Sequence, residues 1–488
     1  MTAPRFPRIA LAALLLAGAA VPASAETLQD ALAAAYRDNP TLTAARAGLK
    51  STDENVDIAK ASGRPTANIT SAYSQYAWQN VVSPFNADKS LTTSLRATVP
   101  VYQGGTVAAN IKGAEKRVEG GQFDLKSTEL SVFSQVVAAY MDVIRTDAIV
   151  GLSQKNVDVL EVNLKATKDR FEVGDLTRTD VAQSEARLAL ARSDLKTAQS
   201  QLIAARETYI QVVGHEPVDL QPPPPLPGLP ESAEAAVDIA LANNPDLASA
   251  RKAVEAAGFS VRAAQGARLP TLSVFTQGQH LTYLGSAPEF PGLPTGDQES
   301  VTIGAQLSLP LYQGGAPGAR VRQNKAQEQQ AIEHATGTER NVVAQTRSYF
   351  SSWQASNEVI ESNQVAVQAD ALSLQGTRAE NGVGTRTILD ILNAEQEEFS
   401  AQVQLVTAQR NAYVAGFSLL AAMGKATAAD LNFGIGPLYD PTAYYKKVRN
   451  DWNDWHDGPD PKPIAPSTVD SRPQNATVSG PVDPAGKP

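Results

Sequence analysis

The side chains that could do chemistry in this chain of 488 residues are few and widely separated. The four histidines, His215, His280, His334 and His456, do not have the spacing of a metal site. No cysteine is present to act as a ligand or a nucleophile. Paired glycines occur, but they lack the spacing of a phosphate-binding loop. We therefore expect no enzyme activity, no cofactor and no metal site.

Charged residues are concentrated around two short turns, where they could form ion pairs or bind cations. One turn has the sequence FEVGDLT at 171–177, and the other lies at 381–387. Exposed ion pairs are worth about 0–1 kcal/mol, whereas partly desolvated pairs can be worth more. Taken singly, such residues are more often solvated charges at helix ends. The charged residues are Glu172, Asp175, Arg178, Asp180, Arg386 and Asp390.

An internal duplication places the two turns at equivalent positions. The heptapeptide VPVYQGG at 99–105 returns as LPLYQGG at 309–315. Likewise, ALAAAYRDNPTLTAAR at 31–46 is matched by AVDIALANNPDLASAR at 236–251. The two copies are offset by about 205 residues up to the first strand and by about 210 after it. The extra residues therefore fall between the strands of each copy, where exposed loops accept insertions.

Each copy is predicted to contain two strands. The sequence LTTSLRATVPV at 91–101 alternates apolar and polar residues, and its counterpart at 301–311 does the same. Eleven residues is the length of a strand that crosses a membrane in a barrel. An amphipathic soluble sheet would show the same alternation, so the pattern alone leaves both possibilities open. The partner strands are predicted at about 66–76 and 271–281.

The repeated heptapeptide is predicted to join a strand to a helix. Its proline is expected to end the strand, because proline cannot donate to a strand ladder. Its glycine pair is expected to redirect the chain into the helix. These joint residues are Pro100, Gly104, Gly105, Pro310, Gly314 and Gly315.

Long helices follow the joints. We predict helices over about 105–172 and 316–380, each roughly 100 Å long, and return helices over about 177–213 and 386–424. The return helices carry apolar and small residues in two rows at seven-residue intervals. This period indicates left-handed coiled-coil packing with two neighbours. We expect a helical bundle, and its closure into a tube is a hypothesis.

The ends of the chain indicate export and a separate tail. Residues 1–25 have the charged, apolar and small-residue segments of a signal peptide. No later apolar stretch is long enough for a transmembrane helix. The net charge of −9 argues against nucleic acid as a partner. The predicted divisions are a first repeat at 26–214, a proline-rich linker at 215–232, a second repeat at 233–432, and a tail at 433–488 that is aromatic and then disordered.

The duplication, the YQGG joints and the sequences FEVGDLTRTDVAQSEA (171–186) and GVGTRTILDILNAEQE (382–397) resemble the TolC family of outer membrane efflux proteins. The resemblance covers essentially residues 27–432. It implies a mainly α fold and a homotrimer in which each protomer gives four strands to one 12-stranded β-barrel in the outer membrane. A coiled-coil α-helical barrel continues this duct through the periplasm. Four strands alone are too few to close a barrel.

The resemblance also implies function and partners. It implies a passive exit duct for efflux or type I secretion, gated at its periplasmic end. The implied partners are outer-membrane lipid, a periplasmic adaptor protein and an inner-membrane transporter, either an RND pump or an ABC exporter. The rival hypothesis is a non-conducting periplasmic coiled-coil adaptor or spacer. Such a spacer has no need for long alternating strands beside the Pro/Gly joints.

By the same resemblance, the two turns form the periplasmic gate. Thr179, Asp180 and Arg386 match the positions of a network that holds the entrance closed, and the tyrosine of that network is replaced by Asn381. Asp390 matches one acidic ring in the entrance, and the position of the second ring is the uncharged Asn393.

Overall fold

A computed structural model describes residues 25–78, 89–284, 297–431 and 437–478. Except for Ala25, the predicted signal peptide lies outside these residues, as do residues 432–436 and 479–488 around and within the predicted tail. Within the described ranges, no helix combines the length and the apolar character needed to cross a lipid bilayer.

The described residues form a mainly helical chain with four strands, which confirms the predicted fold class for a single chain. The first repeat contains α1 (Leu28–Asp38), α2 (Pro40–Ala61), β1 (Thr66–Gln75), β2 (Lys89–Gln103), α3 (Thr106–Glu172) and α4 (Arg178–Val213). The second contains α5 (Ala233–Asn243), α6 (Pro245–Gly266), β3 (Thr271–Tyr283), β4 (Gln298–Ser308), α7 (Ala316–Gly382) and α8 (Ile388–Ala422). The short helices α9 (Ala428–Leu431) and α10 (Ala443–Val448) follow.

Local sequence signals set where the shorter helices begin. The Asn39 side chain accepts a hydrogen bond from the backbone N–H of Thr41 at 2.9 Å, and Pro40 occupies the first helical position of α2. Asn244 caps α6 in the same way through the N–H of Leu247 at 3.1 Å. These caps satisfy N–H groups that have no partner within the helix. The Asn-Pro pairs therefore separate α1 from α2 and α5 from α6.

The four strands form one antiparallel sheet in the order β1-β2-β3-β4. The pairing of β2 with β3 joins the two repeats, and Arg96 of β2 lies opposite Gln277 of β3. One face of the sheet is apolar and exposed to solvent in the single chain; it includes Ile69, Leu95 and Ile303. Both β1 and β4 have one edge without a strand partner among the described residues.

The prediction that Pro100 ends its strand was wrong. β2 continues through Pro100 to Gln103, and its register against β3 shifts between Pro100 and Tyr102. A bulge of this kind accommodates a residue that cannot donate a hydrogen bond. In the second repeat, β4 ends at Ser308, two residues before Pro310 and earlier than the predicted end at 311.

Burial differs greatly between the two long helices. Both α3 and α7 contain 67 residues. α3 packs against α1, α2, α4, α6 and α8, and buried side chains such as Phe133 and Tyr140 lie along it. α7 packs against α5, α6 and α8, and its buried residues are Val321, Val342, Thr346 and Leu374. The main core of the chain therefore surrounds α3.

The linker and the tail pack against the helices. Tyr140 donates a hydrogen bond to the linker carbonyl of Gln221 at 2.7 Å. The tail segment 466–478, for which composition predicts disorder, lies on α4: Arg206 donates to the carbonyls of Asn475 at 2.7 Å and Thr477 at 2.9 Å. Few residues of this segment are apolar, so composition predicts disorder. The charged Arg206 side chain on α4 nevertheless donates hydrogen bonds to its backbone carbonyls, a contact that composition does not reveal.

Candidate functional site

The two predicted gate turns have the same backbone geometry. In the first, the N–H of Gly174 donates to the carbonyl of Phe171 at 3.0 Å, and the N–H of Asp175 donates to the carbonyl of Arg170 at 2.9 Å. Gly384 and Thr385 make the matching bonds, both at 3.0 Å. This pattern is the Schellman motif, which needs a left-handed residue, and Gly174 (φ 85°) and Gly384 (φ 82°) supply it.

Identical capping boxes begin the two return helices. The Asp180 carboxylate accepts from the N–H of Thr177 at 2.8 Å and from its hydroxyl at 2.7 Å. The Asp390 carboxylate accepts from the N–H of Thr387 at 2.9 Å and from its hydroxyl at 2.8 Å. In each box the backbone hydrogen bond, followed by the hydroxyl bond, lowers the pKa of the aspartate below its usual value. Asp180 of the predicted gate and Asp390 of the predicted acidic ring therefore both carry a negative charge and complete a capping box.

The ion pairs differ between the turns. In the first, Arg170 pairs with Asp175, with Nη2 and Oδ2 2.9 Å apart. In the second, Arg386 pairs with Glu380, with Nε and Oε2 2.8 Å apart, and this carboxylate raises the pKa of Arg386 further above its usual value. Arg386 does not contact Asp180 among the described residues, although the resemblance implied one network for both. Each charge is instead satisfied within its own turn.

Asn381 connects the two turns. Its side-chain oxygen accepts a hydrogen bond from Nη1 of Arg170 at 3.4 Å, and its side-chain nitrogen donates to the carbonyl of Arg386 at 2.8 Å. Asn381 therefore forms a bridge between the two repeats at the tip. Thr179 is exposed, and its side chain makes no hydrogen bond to any described residue.

A polar cluster above the turns was missed by sequence reasoning. Glu395 of α8 is 5% exposed and accepts hydrogen bonds from Arg378 at 2.8 Å and from Asn163 at 2.7 Å. Nearby, Arg187 of α4 donates to Asn393 of α8 at 2.9 Å. The sequence signal that could have identified Glu395 is its position directly after Ala394, which belongs to the row of small residues in α8. These contacts hold α3 and α4 against the second repeat just above the tip.

The first joint depends on a close backbone approach between the repeats. Gly104 has φ 61°, and a Cβ atom at this position would lie 2.2 Å from the carbonyl oxygen of Gly266 at the end of α6. Gly314 at the second joint has φ 58°, but open space surrounds it in the described chain. The two glycines have equivalent backbone conformations, and only Gly104 has its packing partner within the same chain.

The described residues contain no group of three or more histidine, aspartate or glutamate side chains that could hold a metal ion.

Comparison with known proteins places this geometry among export proteins. The family described as "Outer membrane efflux protein" matches residues 31–215 and 236–425. The outer membrane efflux protein BepC of Brucella suis is 34% identical over 444 residues, which cover 90% of this chain and 95% of BepC. TolC of Escherichia coli is 25% identical over 436 residues, 86% of this chain and 87% of TolC. The alkaline protease secretion protein AprF of Pseudomonas aeruginosa is 28% identical and covers 70% of this chain and 71% of AprF.

Solved structures share the fold. VceC of Vibrio cholerae superposes with a TM-score of 0.69 at 21% identity, over 81% of this chain and 96% of VceC. The outer membrane channel CmeC of Campylobacter jejuni superposes with a TM-score of 0.72 at 16% identity, over 87% of this chain and 89% of CmeC.

Proposed function

This chain belongs to the outer membrane efflux protein family, as the sequence predicted, and from that premise we propose that it is the exit duct of an efflux or type I secretion system. It is an outer-membrane protein with a periplasmic helical extension, and its family consists of channels rather than enzymes. The duct is passive, and it is gated where α3 meets α4 and α7 meets α8.

One observation carries the proposal: the second repeat lacks the neighbours that the first repeat has. α3 packs against α2 and α4 of its own repeat and against α6 and α8 of the other. By the duplication, α7 should pack against α6 and α8 of its own repeat and also against α2 and α4, which are the first-repeat equivalents of α6 and α8. In this chain, α2 and α4 pack against α3. Copies of the same chain would supply α2 and α4 to α7.

The sheet supports the same arrangement. β2 pairs with β3 across the repeats, so the free edge of β4 should pair with the free edge of β1 in the next copy. Arg96 lies opposite Gln277. Their repeat equivalents are Gln306 and Ala72, so we expect Gln306 of one copy to lie opposite Ala72 of the next. Head-to-tail contacts of this kind form a ring when the rotation between copies closes, as we propose here.

The ring we propose is a homotrimer with 12 strands. Bacterial outer-membrane barrels have at least about eight strands, which excludes a barrel made by one chain. Two copies would reach that minimum, and the choice of three follows the family. The apolar face of the sheet would then face lipid.

We propose a periplasmic adaptor and an inner-membrane transporter as partners. BepC is named as an efflux protein and AprF as a protease secretion protein. The proposal therefore covers both an RND pump and an ABC exporter as the driving transporter.

The gate we propose consists of Thr179, Asp180, Asn381 and Arg386, with Asp390 as an acidic ring inside the entrance. In support, Asn381 bridges the two turns, and both aspartates keep a negative charge. Arg386 and Thr179 are exposed at the tip, where neighbouring copies would approach each other.

Cysteine crosslinking tests the ring, because the chain has no native cysteine. We expect Ala72→Cys with Gln306→Cys to give a covalent trimer after mild oxidation, since directly opposite residues have Cβ atoms about 4.5–5.5 Å apart. The matched control is Ser74→Cys with Gln306→Cys, displaced by two residues on the same face. Equal crosslinking of both pairs, or none, contradicts the proposed register.

Single-channel recording tests the duct. The purified chain in a planar lipid bilayer should form channels of uniform conductance and migrate as a heat-modifiable oligomer on gels. A water-soluble monomer that carries no current would favour the periplasmic spacer instead.

A further inference from the structure

Two exposed tryptophans in the tail lie beside the end of the sheet. Trp452 is 67% exposed and Trp455 is 91% exposed. The guanidinium of Arg64 lies 4.7 Å from the centre of the Trp452 ring, and β1 begins at Thr66, two residues after Arg64. The tail therefore brings two large aromatic side chains to the level where the sheet meets the helices.

The tail is tied to this level by backbone contacts. Nη1 of Arg64 donates to the carbonyl of Asp451 at 2.9 Å, and Lys60 donates to the carbonyl of Arg449. Arg64 is itself held by Asp57, with Nη2 and Oδ1 2.9 Å apart, and both side chains are largely buried. The attachment is therefore built into the end of α2.

A compact turn presents the tryptophans outward. Asp451 accepts from the N–H of Asn453 at 3.0 Å and pairs with the His456 ring at 2.7 Å. Asn453 accepts in turn from the N–H of Trp455 at 3.0 Å. These bonds within the turn leave the indole rings on its outer surface.

The cationic residues just before the turn suit a phosphate-bearing surface. Lys447 and Arg449 are exposed, and neither forms an ion pair with any described carboxylate. Tryptophan is enriched where membrane meets water, because its ring is apolar and its N–H can hydrogen-bond. Lysine and arginine at this depth meet lipid phosphates.

We propose that Trp452 and Trp455 insert into the headgroup layer of the periplasmic leaflet, so that the tail is a membrane-interface anchor outside the barrel. This inference rests on the proposed outer-membrane duct. The ligand is a phospholipid surface, which meets Lys447 and Arg449 through its phosphates.

The test is fluorescence quenching in a protein with one tryptophan. The chain has four tryptophans, so Trp78→Phe, Trp353→Phe and Trp452→Phe leave Trp455 alone. The protein is reconstituted in vesicles of phosphatidylethanolamine and phosphatidylglycerol, with a nitroxide quencher either at the headgroup or deep in the acyl chains. We expect the headgroup quencher to lower Trp455 fluorescence roughly twofold more than the deep quencher does.

The matched control moves the tryptophan along the same tail. Val469 is 88% exposed but lies in the segment that packs near α4. Val469→Trp in a protein without other tryptophans should be quenched by aqueous iodide and not by either lipid quencher. If the single-tryptophan protein does not assemble, the difference between wild type and Trp455→Phe measures the same signal.

Two failures are distinguishable. A protein that conducts ions but leaves Trp455 open to iodide and untouched by lipid quenchers overturns the anchor alone, and would indicate a protein partner for this surface. A protein that carries no conductance overturns the proposed duct, and the anchor with it.

Discussion

The helices α3 and α7 have equal length and equivalent positions in the two repeats, yet only α3 is surrounded by its own chain. Side chains such as Phe133 and Tyr140 of α3 are fully buried, whereas Val365 and Leu372 of α7 are 67% and 70% exposed. The same backbone plan thus gives a core helix in one repeat and a surface helix in the other. In the proposed ring, a neighbouring copy would cover these apolar residues of α7.

Substitutions of the joint glycines should have the largest effect on assembly. Gly104→Ala places a Cβ atom 2.2 Å from the carbonyl of Gly266, at a φ of 61° that is itself unfavourable for alanine. We expect loss of the assembled oligomer from the outer membrane. Gly314→Ala has open space in the single chain, but in the proposed ring its neighbour would be the carbonyl of residue 61 in the next copy. We therefore expect an equal loss.

The measurement is the yield of heat-modifiable oligomer in outer-membrane fractions. Gly48→Ala is the control, since this helical glycine has open space around it and its repeat equivalent is already Ala253. Normal assembly of Gly314→Ala beside a severe Gly104→Ala defect would contradict the ring, because it would show that nothing occupies the space at the second joint.

Variants of Arg386 and Glu380 test whether Arg386 acts only within its own turn or also between copies. If Arg386 closes the entrance by reaching a neighbouring copy, Arg386→Ala should raise single-channel conductance severalfold. Glu380→Gln, which removes only the local partner, should raise it less. Arg192→Ala, which breaks an exposed pair with Glu161 above the tip, is the control and should leave conductance unchanged. Equal effects of the Arg386 and Glu380 variants would assign Arg386 a purely local role.

Substitutions of the two capping aspartates distinguish the loss of a cation site from damage to a helix cap. Asp180→Asn and Asp390→Asn weaken equivalent capping boxes by similar amounts, of order 1 kcal/mol or less. Only Asp390 is proposed to line the entrance, so only Asp390→Asn should relieve block by divalent or trivalent cations in bilayer recordings. Relief by both variants would mean that the damaged caps, rather than a lost cation site, cause the change.

The helix bounds were predictable because their signals are local. The Asn-Pro caps and the tip glycines act within a few residues of where they stand. The capping role of Asp180 was also readable, since Thr177 stands three residues earlier, as Thr387 does before Asp390. These signals do not depend on the rest of the chain.

The misplaced strand end and the missed tip contacts depend on distant partners. Pro100 remains in its strand because β3, about 170 residues later, pairs across it with a bulge. The bridge from Arg170 to Asn381 and the burial of Glu395 require the two repeats to meet. Seven-residue periodicity predicts that helices pack, but it does not say which polar side chains face each other.

Asp53 of α2 also distinguishes the two repeats, because the equivalent residue in α6 is Gly258. Asp53 is 1% exposed, and neither carboxylate oxygen has a hydrogen-bond partner among the described residues. Burial, and to a lesser degree the charge of Glu54, raises its pKa to about 6. Tyr439, Tyr444 and Tyr445 of the tail lie near Asp53. Burial raises the pKa of Tyr439 and Tyr445, the hydrogen bond to Glu54 raises the pKa of Tyr444 to about 12, and the Asp53 charge adds to each shift.

This raised pKa predicts a loss of stability as pH rises. Below about pH 4 both folded and unfolded chains hold the proton; between about pH 4 and 6 only the folded chain does, so unfolding becomes easier. Above about pH 6 the loss is complete and amounts to about 3 kcal/mol.

Asp53→Asn, which stays neutral, should therefore raise the thermal midpoint of the detergent-solubilised protein at pH 7.5 and have little effect at pH 4. Asp57→Asn, whose carboxylate is paired with Arg64 in the same helix, should lower the midpoint at pH 7.5. A gain for Asp53→Asn that is the same at both pH values would show that Asp53 is destabilising through packing rather than through its charge.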